Sequence, residues 1–224
     1  MSDLAFNLSK GMTFDLEKAR PGLKKVRVAL KWKKVKQGIS EADADLTVVV
    51  LGSRAAAESD SAAIAQGQKD AQRKIYASDP AWVLYYNSPQ TTLDDGTAVK
   101  ATPGQEIVHW GDNRTGGDFN GVDGEQVDIN FERMPEGVME VSILGTIYEG
   151  SERNQNWNAL EAVLEITDLT DDRMIARYEL EHDFPTDTAV QVGAFIRTGP
   201  ATWEFQAIGN GSRGGLGHFL SYWS

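Results

Sequence analysis

The sequence predicts an all-β protein, a two-sheet β-sandwich. Apolar and polar residues alternate with period two in segments such as "VRVALKW", where Val26, Val28, Leu30 and Trp32 share one face. The segments are short, rich in β-branched and aromatic residues, and bounded by turn signals: "DDG" at 94–96, "PEG" at 135–137, "TDD" at 170–172 and "TGP" at 198–200. No internal repeat of fixed period is visible, so a stacked-repeat architecture is not indicated.

After "VRVALKW" come "LTVVVLG" (46–52), "AWVLYYN" (81–87) and "EVSILGTIYE" (140–149), then "AVLEITDL", "MIARYEL", "AVQVGAFIRT" and "TWEFQAIG". About eight or more strands at this spacing fit a sandwich. Residues 53–74, "SRAAAESDSAAIAQGQKDAQRK", hold Ile64 as their only large apolar side chain. They are expected to form a helical or disordered insertion between two strands. The short C-terminal segment, "GNGSRGGLGHFLSYWS", is expected to dock on the sandwich through Phe219, Leu220, Tyr222 and Trp223. Residues 1–224 then form a single domain carrying the 53–74 insertion.

The chain has 224 residues, 41% of them hydrophobic, enough for a sizeable core. Its net charge of -11 disfavours non-specific nucleic-acid binding and suits a cation binder. The absence of cysteine excludes disulfides, thiolate nucleophiles and cysteine metal sites. His109, His182 and His218 lie far apart, without metal-ligand spacing, and are read as unrelated. The N-terminus shows no apolar core of signal-peptide length, and no apolar run approaches a membrane span. A soluble cytoplasmic protein is expected.

Charge is concentrated in "GDNRTGGDFNGVDGEQVDINF", residues 111–131, with five Gly, four Asp and Glu125. So many glycines forbid a helix and allow only a poor strand. Asp112, Asp118, Asp123 and Glu125 supply hard oxygen donors, and Asn113 and Asn120 add neutral ones. Such a set suits Ca²⁺, which takes six to eight oxygens in flexible geometry; the alternative is an acidic solvated loop, common on a chain this negative. The loop is not an EF-hand: Val122 stands at the third ligand position and Gly121 comes too early. Asp43 and Asp45, on one face of a strand entrance, and Glu149, at the end of a strand, could converge on it.

The segments "NLSKGMTFDL", "PGLKKVRVALKW", "DADL", "GDNRTG", "DGEQVDINF", "ILGTIYEG", "NQNWNAL", "IARYEL" and "GAFIRTGPATWEFQAIGNG" occur in this order. Together they resemble the TerD family of tellurite-resistance and stress proteins, over residues 7 to about 220. The resemblance implies a cytoplasmic β-sandwich that holds one or two Ca²⁺ ions in acidic loops at one end. It implies no established catalytic activity and a role in tellurite resistance, phage defence or envelope stress. It also implies assembly with other Ter-type proteins, or self-association, near the inner face of the membrane. By the family pattern, Asp112 and Asn113 match the start of the acidic loop, Asp123 and Glu125 its end, Asp43 and Asp45 two of three strand-entrance aspartates, and Glu149 an acidic residue after a T-I strand. Thr47 replaces the third strand-entrance aspartate, Val122 and Gly124 stand where the family usually has Asp, and the loop is lengthened. Asp118 is the residue that would compensate. Fewer carboxylates predict a weakened or lost second ion.

A separate feature is the basic run Lys24–Lys36, seven cations in thirteen residues. It is read as an edge strand guarded against pairing or, alternatively, as a docking stripe for an acidic partner or an anionic membrane. Two other functions are weighed against a non-catalytic calcium protein. One is a carbohydrate-binding module, with Trp110 and Trp157 as surfaces to stack a sugar, or a nucleotide-binding one, which the family resemblance keeps open. The other, less favoured, is a metal-dependent hydrolase.

Overall fold

The strands of the computed structural model, which describes residues 5–33, 42–53, 73–114, 118–119 and 122–224, form two large sheets and one small hairpin. The first sheet runs, in spatial order, Phe6–Leu8, Arg173–Glu179, Val163–Asp168, Lys25–Lys31, Glu125–Asn130, Ile107–His109, Ala98–Ala101 and Thr91–Thr92. The second runs Thr13–Asp15, Trp203–Gln206, Ala189–Arg197, Val138–Ile147, Ala44–Ser53 and Arg73–Ile75. Asn210–Ser212 also pairs with Ala189–Arg197, and Val83–Leu84 with Ala44–Ser53. Among these pairings only Phe6–Leu8 with Arg173–Glu179 is parallel.

Period-two alternation explains the layering. Val26, Val28 and Leu30 of the first sheet face Ala44, Leu46, Val48, Val50, Val141 and Ile143 of the second in one buried core. The outer face of the second sheet is covered too. Val49, Leu51 and Leu144 pack beneath Phe219 and Trp223, which the Gly215–Leu220 helix and the residues after it deliver. The Trp223 carbonyl accepts the Ile75 amide at 3.1 Å. The C-terminal segment therefore docks as expected, except that Tyr222 stays exposed.

Three expectations need correction. The "AWVLYYN" strand shrinks to Val83–Leu84, because Pro80 opens a 3₁₀ turn over Pro80–Trp82, capped by Asp79, whose carboxylate accepts the Ala81 amide at 2.9 Å. The 111–131 stretch is not loop throughout. Its second half, Glu125–Asn130, is a strand in the middle of the first sheet, with Val127 and Ile129 buried and Gln126 and Asp128 facing out. Its glycines all precede that half, so averaging composition over the whole stretch merged two different elements. Finally, Lys25–Lys31 is not an edge strand; it pairs on both sides, with Glu125–Asn130 and Val163–Asp168.

Of the 53–74 insertion, residues 54–72 lie outside the described residues. Its flanks, Ala44–Ser53 and Arg73–Ile75, pair antiparallel with Leu51 opposite Ile75. No helix among the described residues is long and apolar enough to cross a membrane.

Candidate metal centre

The acidic site forms where the two sheets meet at one end of the sandwich. Ala44 and Leu46 point into the core, so Asp43 and Asp45 must point the other way. The Asp43 carbonyl accepts the Tyr148 amide at 2.8 Å, which ties this strand entrance to the end of Val138–Ile147. Asp112 arrives from the first sheet, three residues beyond Ile107–His109. One carboxylate oxygen from each of Asp43, Asp45 and Asp112 lies within 4.8 Å of the others.

This grouping is electrostatically unfavourable as it stands. Asp45 is only 4% exposed. Burial, then the neighbouring Asp43 and Asp112 charges, push its carboxyl up to about 8. Burial and the Asp112 charge raise Asp43 as well. The Asp43 Oδ1 atom is buried and has no hydrogen-bond partner, an uncommon condition for a carboxylate. Among the described residues, compensation comes from Arg114, whose Nε lies 3.1 Å from Asp112 Oδ2 while its side chain stays largely in solvent, and from the Arg153 charge acting on Asp43. Three carboxylates contributed by two sheets, one with an orphaned oxygen, form a donor set for a hard divalent cation.

The remaining expected ligands divide into three groups. Asn113 is buried beside the cluster; its amide donates to Glu125 Oε1 at 3.0 Å and its Nδ2 to the Gly124 carbonyl at 3.4 Å. Glu125 is buried as well, but both its oxygens are engaged by backbone amides, Asn113 on one and Leu46 (2.6 Å) on the other. Burial raises its carboxyl well above the usual range, and those two amides oppose the rise. Glu149 turns outward at a left-handed φ of 51° and holds Arg153 through contacts of 3.1 and 2.8 Å. Arg153 lowers its carboxyl, and the structure does not bring Glu149 into the trio. Asp118 and Asp123 pair across a two-residue antiparallel hairpin with Phe119 and Val122; their side chains lie outside the described residues, as does Asn120.

The departures from the family pattern acquire physical reasons. Gly124 has φ +77°, and a Cβ there would sit 2.1 Å from the Leu30 carbonyl oxygen, so no carboxylate-bearing residue fits this backbone. Thr47 follows Asp43 and Asp45 on the same face of the strand, fully buried, with its Oγ1 unpartnered. Trp157 cannot stack a ligand, being fully buried over Gly145, where even a Cβ would meet its ring at 2.9 Å. Trp110 remains on the surface, with the Arg27 guanidinium 5.7 Å from its ring centre.

Sequence reasoning missed His109. It is fully buried; its Nε2 donates to the Leu46 carbonyl at 2.9 Å and its Nδ1 accepts the Gly111 amide at 3.2 Å. Burial lowers its pKa to about 4, so it is neutral. The signal was present in the alternation of Ile107 and His109, which places the imidazole on the core side two residues before the acidic loop. A second group, Glu179, Glu181 and His182, also brings ligand atoms within 4.8 Å of one another, but on a solvent-facing turn where His182 pairs with Glu181 at 3.2 Å.

Comparison with known proteins agrees with this architecture. The chain is 31% identical to general stress protein 16U of Bacillus subtilis over 95% of its own length and 94% of the relative's. It is 29% identical to the tellurium resistance protein TerD of Serratia marcescens, over the same shares of the two chains. A crystal structure of a Streptomyces coelicolor homologue of the telluride resistance protein TerD superimposes with a TM-score of 0.58 at 18% identity, covering 89% of this chain and 96% of that one, a likeness of fold. The TerD domain matches residues 4–80 and 76–223, and the chain belongs to the TerD family.

Proposed function

We propose that this protein is a Ca²⁺-binding, non-catalytic stress or tellurite-resistance protein of the cytoplasm. It acts by assembling with itself or with other Ter-type proteins, in phage or envelope-stress defence among other settings. The observation that carries the calcium reading is the convergence of Asp43, Asp45 and Asp112 with a buried, unpartnered Asp43 oxygen. Bound there, Ca²⁺ would supply positive charge where three carboxylates otherwise repel. Asp43 and Asp45 would hold it from the second sheet and Asp112 from the first, so the ion would tie the acidic loop to the strand entrance. The names of the relatives support the stress and tellurite setting. The net charge of -11 argues against a nucleic-acid partner, and the lack of cysteine removes thiol reduction of tellurite as an activity of this chain.

Thermal unfolding of chelator-treated and Ca²⁺-loaded protein tests the reading. A ligand held only by the native state stabilises it by about 2.7 kcal/mol at one hundred times its Kd. A clear rise in melting temperature is expected, absent in Asp43→Asn/Asp45→Asn. Identical melting curves with and without Ca²⁺ would remove calcium from the account.

A further inference from the structure

We infer that Glu125 and His109 form a positioning pair that sets the separation of Asp45 and Asp112, and that neither is a ligand. The inference rests on the cation reading of the Asp43–Asp45–Asp112 cluster. It starts from an irregularity in the second sheet. On one flank of Ala44–Ser53, Leu46 lies opposite Gly145. On the other flank, strand pairing among the described residues begins only at Val48 and Val49, against Val83–Leu84. The Leu46 peptide therefore needs other partners, because unpaired buried backbone groups are costly.

Side chains of the opposite sheet supply them. Glu125 Oε2 accepts the Leu46 amide at 2.6 Å, and His109 Nε2 donates to the Leu46 carbonyl at 2.9 Å. The same two side chains also reach the acidic loop: Glu125 Oε1 accepts the Asn113 amide at 3.0 Å, and His109 Nδ1 accepts the Gly111 amide at 3.2 Å. Leu46 is the residue after Asp45, and Gly111 and Asn113 bracket Asp112. One carboxylate and one imidazole thus grip the backbone on the flanks of two site aspartates that come from different sheets. Both side chains are fully inside the protein and sit on adjacent strands of the first sheet, Glu125–Asn130 and Ile107–His109, so their own positions are fixed by the core.

The test is calorimetric Ca²⁺ titration of chelator-stripped wild type, Glu125→Ala, Glu125→Gln and Ile129→Ala, with amide hydrogen exchange followed at Leu46 and Asn113. Supporting partners of a metal site are worth roughly 10- to 100-fold in affinity. Glu125→Ala should weaken binding by that factor with the stoichiometry kept, and speed exchange at both amides. Glu125→Gln, which keeps one acceptor oxygen, should fall between. Ile129→Ala, a core change on the same strand, should lower the melting temperature without moving the Kd. If Glu125→Ala removes an ion from the stoichiometry, Glu125 is a ligand; if it leaves the Kd unchanged, it is scaffold alone; either result overturns the inference. Wild type that binds no Ca²⁺ would overturn the cation reading instead, and amide exchange at Leu46 and Asn113 would then decide whether the pair holds the two sheets together by itself.

Discussion

Two charged stretches stand out in this chain, and the fold treats them in opposite ways. The basic stretch becomes the Lys25–Lys31 strand and its flanks, and four of its cations among the described residues find acids. Lys24 meets Glu132 at 2.8 Å, Lys31 meets Glu165 at 2.9 Å, Lys33 pairs with Glu161, and Arg27 clasps Asp128 with two contacts of 2.7 and 2.8 Å. The last two residues of that comparison sit directly opposite each other on neighbouring strands. The acidic stretch ends differently. Asp112 is carried to Asp43 and Asp45, and the three crowd together, with the Arg114 guanidinium on Asp112 and the Arg114 and Arg153 charges acting on Asp43. A run of like charge in a sequence is therefore not itself a site. What separates a site from a solvated face is how fully the fold supplies the opposite charge, and among the described residues the buried Asp45 has no ion-pair partner, whereas Lys24, Arg27, Lys31 and Lys33 each have one.

The largest expected effect that sharpens this contrast is on the acidic side. With Ca²⁺ at a thousand times its Kd, the native state should gain about 4.1 kcal/mol, and Asp45→Asn should abolish most of that gain while making the metal-free protein no less stable. Paired thermal melts of the two proteins measure both quantities.

A smaller effect concerns pH. The Asp45 carboxyl is raised in the folded state from 3.8 to about 8, so the native protein holds a proton the unfolded chain releases. That contribution to stability is complete below 3.8 and is lost as pH rises toward 8. His109 is lowered from 6.5 to about 4, which gives the opposite slope, but only below pH 6.5. Between pH 6.5 and 8 the Asp45 slope stands without that opposition. Metal-free protein should lose about 2 kcal/mol across that window, at about 1.4 kcal/mol per pH unit. Urea unfolding at several pH values checks this, and Asp45→Asn should make the profile shallower, the raised Glu125 and Asp43 carboxyls contributing a slope of the same sign.

On the basic side the effects should be slight. A double-mutant cycle on Arg27 and Asp128, both partly exposed, should give a coupling of about 1 kcal/mol or less. Lys33→Ala, at an exposed pair, should leave the melting temperature unchanged within error. A coupling at Arg27–Asp128 as large as the calcium effect would break the contrast between the two regions.

The sandwich was legible because long apolar, β-branched strands such as Val138–Ile147 and Ala189–Arg197, buried at nearly every residue, stand out against the polar turns between them. Strands of two residues, such as Val83–Leu84 and Thr91–Thr92, are too short for periodicity to register. The central placement of Lys25–Lys31 was hidden, because strand order depends on partners far along the chain. In the site, Asp43, Asp45 and Asp112 were readable as carboxylates facing one end of a sandwich. That Glu125 spends its oxygens on backbone amides, and that His109 serves the same peptide, follows from where pairing of Ala44–Ser53 stops, which no local pattern encodes. Glu149 was misleading because its left-handed backbone turns it toward Arg153.

The most direct test of the central claim, that these acids crowd together because a cation belongs among them, is proton release on Ca²⁺ binding at pH 7. It is read by titration calorimetry in two buffers of different ionisation enthalpy. Metal ligands must be deprotonated to bind. With Asp45 held at about 8, the account predicts that roughly one proton leaves per bound ion in wild type. Asp45→Asn should lose both the binding and the release. Binding heat that is the same in both buffers would show that the cluster is already ionised without the metal, and no binding heat in either would show that the crowding has another cause; both results contradict the account.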